Sequence, residues 1–186
     1  MWWAPLLNNL IATLDAGAGG AAGSFESIAT STPTSGSSIT FSAIPSTYKH
    51  LQIRVNSRFS GTDERIDLRF NSDTGSNYAY HWLTGDGSAA SASGAATQTS
   101  ALGVAYATGT ANIAAAAIID IHDYASTSKA KTIRSANAWD TNGSGRMRLS
   151  SGLWTSTSAV SSITLTLNSG TFATGTTIAL YGIKGA

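Results

Sequence analysis

Cysteine is absent from this 186-residue chain, so disulfides, thiolate metal sites and cysteine nucleophiles are all excluded. Small exported domains often lean on disulfides, and their lack points to synthesis in a reducing cytoplasm. Charge is scarce too: 11% of residues are charged, against roughly 25% in typical soluble domains. A free monomer with so few charges lacks their help in staying soluble and apart, so the composition favours a permanent assembly. No Lys or Arg precedes Lys49, the net charge is +1, and the later cations are scattered. Nucleic acid, which demands a concentrated basic face, is therefore not an expected partner. The same gap leaves the N-terminus without the basic region of a signal peptide. Its apolar run is too short to span a bilayer and is interrupted by Asn8, Asn9 and Asp15, so membrane insertion is not expected.

What is present falls into three zones. Residues 1–15, MWWAPLLNNLIATLD, place Trp3, Leu6, Leu7, Leu10, Ile11 and Leu14 at helical spacing, with Pro5 near the helix start, where its missing N–H costs nothing. Isolated helices shorter than ~12–15 residues are marginal in water, so this arm must pack on something. Residues 16–24 form a Gly/Ala-rich linker that decouples the arm from the rest of the chain. An apolar helix on a tether reads as a docking arm, with Trp2, Trp3, Leu6, Leu7, Leu10, Ile11 and Leu14 as its contact residues. The alternative is a helix folded back onto its own domain.

From residue 25 to 186 the pattern has period two. Ile39 and Phe41, then Leu51, Ile53 and Val55, then Ile66, Leu68 and Phe70, and finally Ile163, Leu165 and Leu167 alternate with polar residues. That is the signature of half-buried antiparallel strands. Further strands are expected at Ser27–Thr30, Tyr78–Thr84, Leu102–Thr108, Ala114–Tyr124, Lys131–Trp139, Met147–Trp154 and Thr177–Lys184. The expected fold is all-β, an antiparallel β-sandwich or jelly roll with a short N-terminal helical arm. The stretch Gly85–Ser100, GDGSAASASGAATQTS, has no periodicity and reads as a long loop.

Chemistry-bearing constellations are thin. Nucleophilic catalysis needs a base beside the nucleophile, and the histidines are His50, His81 and His122, with no G-x-S-x-G elbow. Asp120 and His122 lie two apart on an expected strand and would share a face, with Asp123 opposite. Such a pair can bind metal or shuttle a proton, but more often it hydrogen-bonds at a strand end. Asp63 and Glu64 read as solvated turn residues. Asn71–Gly75 and Asp140–Gly145 are oxygen-rich loops without EF-hand spacing, best explained as Asx-type turns. Tyr78, Tyr80 and Trp82 fall on one strand face, and Trp139 and Trp154 lie near strand ends, as core, interface or sugar-stacking aromatics. No catalytic, cofactor or metal residue is assigned, and no enzyme is expected.

The strings IPSTYKHLQIR, RFNSDTGSNYAYH and ALYGIKG are the most specific part of a resemblance that covers about residues 25–186. The chain resembles small β-rich virion proteins of tailed bacteriophages, of tail-fibre or head-decoration type. The resemblance implies a virion structural role, assembled in the host cytoplasm, with a homotrimer as the oligomer. It further implies that the arm attaches to other virion proteins and that the β-domain is exposed for contact with a host surface glycan or receptor. A capsid decoration (cement) protein is the alternative. A carbohydrate-binding or glycan-degrading module is the alternative of another class.

Overall fold

The computed structural model describes residues 23–185, and within them the chain forms twelve strands and no helix. Eight strands make one sheet in the order β1 (Phe25–Ser31), β12 (Thr177–Ile183), β3 (His50–Ser57), β8 (Ala115–Ile121), β9 (Lys131–Asp140), β10 (Gly145–Trp154), β5 (Tyr78–Gly85) and β6 (Ala90–Gln98). The other sheet has four strands, β2 (Ser38–Phe41), β11 (Ile163–Leu167), β4 (Asp63–Phe70) and β7 (Ala101–Thr108). Every strand pairing within the two sheets is antiparallel. The all-β expectation holds. The N-terminal arm, with Trp2, Trp3, Leu6, Leu7, Leu10, Ile11 and Leu14, lies outside the described residues.

On β3, β4 and β11 the apolar side of the period-two alternation is the buried one. Leu51, Ile53 and Val55 of β3 join Ile119 and Ile121 of β8 and Ile178 and Leu180 of β12 in one buried cluster. Ile66, Leu68 and Phe70 of β4 and Ile163, Leu165 and Leu167 of β11 complete it from the smaller sheet. Each such side chain contributes about 1.5–3 kcal/mol by leaving water. The polar partners of these strands, such as Gln52, Arg54 and Asn56, turn outward.

Strand β7 is packed differently. It pairs with β4 but also lies directly over β8, β9 and β10, so both of its faces are covered. The large sheet makes room by turning small or polar side chains toward it: Ala115 and Ala117, Ser135 and Asn137, Ser150 and Gly152. Asn137 Nδ2 and Ser150 Oγ donate to the Val104 and Gly103 carbonyls, each at 3.4 Å. A Cβ at Gly152 would sit 3.3 Å from Ala101 Cβ, so no larger residue fits without displacement.

Two expectations need correction. Residues 90–98 are not loop but β6, an edge strand paired with β5. Most of its side chains are exposed, so it carries no apolar alternation, and backbone pairing alone defines it. The expected strand Ala114–Tyr124 ends at Ile121, and Asp123 adopts a left-handed conformation with φ 47° in the turn beyond it. His122 therefore lies past the strand end, where its N–H donates to Thr132 O.

Candidate functional site

Strand β10 inverts the usual sense of its alternation. Its inward side chains are Arg148, Ser150, Gly152 and Trp154, while Met147, Leu149, Ser151 and Leu153 point outward. This produces two features, one on each face.

On the inner face, at the end away from Trp154, aromatic rings and guanidinium groups form an interleaved stack. The register pairs Arg148 of β10 with Thr84 of β5 and Ser150 with Trp82. The Arg148 guanidinium lies 4.3 Å from the Trp82 ring centre and 4.8 Å from that of Tyr106 on β7. Tyr106 stacks on Trp139 of β9 at 4.6 Å, and Arg146 covers Trp139 at 5.8 Å. The desolvated contacts of Arg148 are each worth up to about 2 kcal/mol, and that of the exposed Arg146 about 0.5–1 kcal/mol. The positive φ of Gly103, 64°, suits a glycine, and a Cβ there would approach Arg148 Nη1 to 2.8 Å.

Arg148 is only 8% exposed, yet its one side-chain hydrogen bond among the described residues runs from Nε to Thr84 Oγ1, 2.9 Å. No carboxylate among the described residues forms an ion pair with Arg146 or Arg148. Burial pushes the Arg148 guanidinium down from its usual value, with the Tyr106 phenol acting in the opposite direction. A 210 Å³ cavity opens beside it, bounded by Trp82, Ser91, Asp86 and Arg146 among others. Asp86 is committed to its own turn: Oδ1 accepts from Ser88 N, Ser88 Oγ and Ala89 N. Chiefly the backbone donors, Ala89 first, hold its carboxyl down at about 2. A second cavity of 270 Å³ lies between Tyr106, Trp139, Arg146 and the acidic pair Asp63 and Glu64.

On the outer face the inverted strand builds an apolar row. Leu149 pairs with Leu83 of β5 and Ala136 of β9, Leu83 pairs with Ala92 of β6, and Ala136 pairs with Ile118 of β8. Leu83 is 53% exposed, Leu149 52% and Met147 60%. The row thus crosses five strands without a charge. Beside it, Asp120 is held by Gln52 Nε2 and Arg134 Nη2, both at 2.9 Å.

The residues singled out from sequence divide between these settings. Tyr78, Tyr80 and Trp82 do share the inward face of β5, but Tyr78 and Trp154 belong to the core. There Tyr78 O–H contacts the Phe70 backbone and Trp154 Nε1 donates to Asp73 Oδ2 at 2.7 Å. Trp82 and Trp139 enter the stack. Asp120 and His122 share no hydrogen bond or ion pair among the described residues, although the His122 charge acts on the Asp120 carboxyl. Asp120 serves Gln52 and Arg134, while the His122 ring packs edge-on against His50 at 5.0 Å. Asn71–Gly75 and Asp140–Gly145 are turns in which Asp73 accepts from Gly75 N and Asp140 from Asn142 N. Among the described residues no three His, Cys, Asp or Glu side chains gather as a metal cluster. Arg146, Arg148 and Tyr106 were missed from sequence; the signal available was the inverted order Met147-Arg148-Leu149-Ser150, a guanidinium where a core residue belongs.

Compared with known proteins, the chain matches no family model, no curated protein and no solved structure.

Proposed function

We propose that the chain is a structural subunit of a bacteriophage virion, of tail-fibre or appendage type. In this reading the β-sandwich or jelly-roll body, residues 25–186, is displayed as a homotrimer, and the arm of residues 1–15 docks it to other virion proteins through the linker at 16–24. The observation that carries the assembly role is the uncharged row Ala92, Leu83, Leu149, Ala136 and Ile118 on the outer face of the large sheet. A continuous apolar row of this kind marks an interaction surface. The edge beside it supports the same reading: β6 has neither Pro nor charge to discourage pairing with another chain. The virion identity rests on the sequence resemblance in residues 25–186.

The test has two parts. The protein should run as an oligomer in light-scattering chromatography, and the paired change Leu83→Ser and Leu149→Ser should shift it to monomer without loss of fold. Quantified protein bands from purified particles should then show tens of copies or fewer; hundreds would indicate the capsid decoration alternative, and none would sink the virion reading. The stack of Trp82, Arg148, Tyr106 and Trp139 favours a second, compatible reading, a carbohydrate-binding module.

A further inference from the structure

The open end of the inner face holds more binding capacity than the fold uses. Arg148 is nine-tenths buried, is held in place by Trp82, Tyr106 and Thr84, and has both Nη groups without a hydrogen bond among the described residues. Neither Nη is sealed off as a buried orphan, and Arg148 lines the 210 Å³ cavity. Arg146 lines the same cavity, lies over the face of Trp139 and forms no ion pair among the described residues, although its charge helps to hold the Asp86 carboxyl down. Two guanidinium groups against the single, turn-committed carboxylate of Asp86 leave the cavity net positive. Its natural complement is an anion, because charge-assisted hydrogen bonds to guanidinium are about twice as strong as neutral ones.

A bare inorganic ion would not use the rest of the cavity. Trp82 supplies an aromatic wall, and the β6 residues on its side in the register are Ser93 opposite it and Ser91 opposite Thr84. Nothing bulky on β6 covers that flank of the indole, and the Ser91 and Thr84 hydroxyls line the cavity beside it. An aromatic wall, hydroxyls and a guanidinium pair match a sugar ring that carries a carboxylate.

We propose that this cavity binds an acidic carbohydrate, its ring packed along Trp82 and its carboxylate received by Arg146 and Arg148. The site belongs to the single chain and does not depend on the chain's place in a virion. Tyr106 and Trp139 act as positioning residues that hold the guanidinium groups in line.

The test uses the full-length protein and a panel of oligosaccharides containing galacturonate, glucuronate or sialic acid, with neutral galactose oligosaccharides and inorganic phosphate as comparisons. Binding is read by calorimetry and by the arginine Nε–H resonances, which need no substitution. At least one acidic oligosaccharide should bind, weaken as salt is raised, and shift the Arg148 resonance. Trp82→Ala and Arg146→Ala should each weaken it by about tenfold or more. Arg146 is exposed, so its variant keeps the test valid if Trp82→Ala loosens the strand. Equal affinity for the neutral sugars would overturn the proposal. So would phosphate binding that competes fully and ignores Trp82, or the absence of any binding by the acidic panel.

Discussion

Strands β3 and β10 lie in the same sheet and alternate with the same period, yet in opposite senses. β3 sends Leu51, Ile53 and Val55 inward and Gln52, Arg54 and Asn56 outward. β10 sends Arg148, Ser150 and Gly152 inward and Met147, Leu149 and Leu153 outward. The difference comes from what covers each strand. The inward side chains of β3 reach the buried cluster shared with β4 and β11, where there is room for branched side chains. β10 lies under β7, whose backbone comes so close that only the small groups of Ser150 and Gly152 fit beneath it, and Arg148 beyond them is accommodated against Gly103 and Tyr106. A period-two pattern therefore identifies a strand but not which of its faces is the core.

The strongest way to break the contrast is at its exception, Trp154, the one large apolar side chain that β10 sends inward. Trp154→Ala should cost about 3–5 kcal/mol in urea unfolding, since it empties core volume against Phe70 and Tyr78 and removes the indole donor to Asp73. Next comes the close approach of β7. Gly152→Val should cost about 1–3 kcal/mol by overpacking, because the new side chain meets Ala101 and Ile133 at contact distance. A neutral result would mean that β7 does not lie tightly on β10.

Acid provides a subtler probe of the same corner. The Trp154 indole N–H first, then Asn77, hold the Asp73 carboxyl below its ordinary 3.8. A depressed carboxylate stabilises the fold above its unfolded value, and that stabilisation is lost as pH falls through the folded one. Stability should therefore drop below about pH 4, and Asp73→Asn should flatten that part of the acid limb. An unchanged limb would mean that Asp73 does not contribute to it. The smallest effect is expected on the outward side. Leu149→Ser should change the stability of the dissociated monomer by no more than about 0.5 kcal/mol, since the residue is half exposed. A loss comparable to that of Trp154→Ala would mean that Leu149 is core.

Legibility tracked burial contrast. Strands β3, β4 and β11, each with one wet and one dry face, are plain in their alternation. Strand β6 is wet on both faces and left no pattern, so its stretch looked like loop. The candidate site was half visible. Trp82 could be singled out as one of three aromatics on a strand face and Trp139 as an aromatic near a strand end, but nothing local says that Arg148 lies between Trp82 and Tyr106, residues 66 and 42 positions away along the chain.

The amino-acid order by itself determined the all-β class, the period of most strands and the turns at Asn71–Gly75 and Asp140–Gly145, because these depend on near neighbours and on solvent contrast across one strand. Only the tertiary structure decided that β10 faces the core with its polar side, that β6 joins the sheet, and that two arginines share one cavity. Those outcomes depend on where β7 and β5 come to rest, which is set by pairings between segments far apart in the chain.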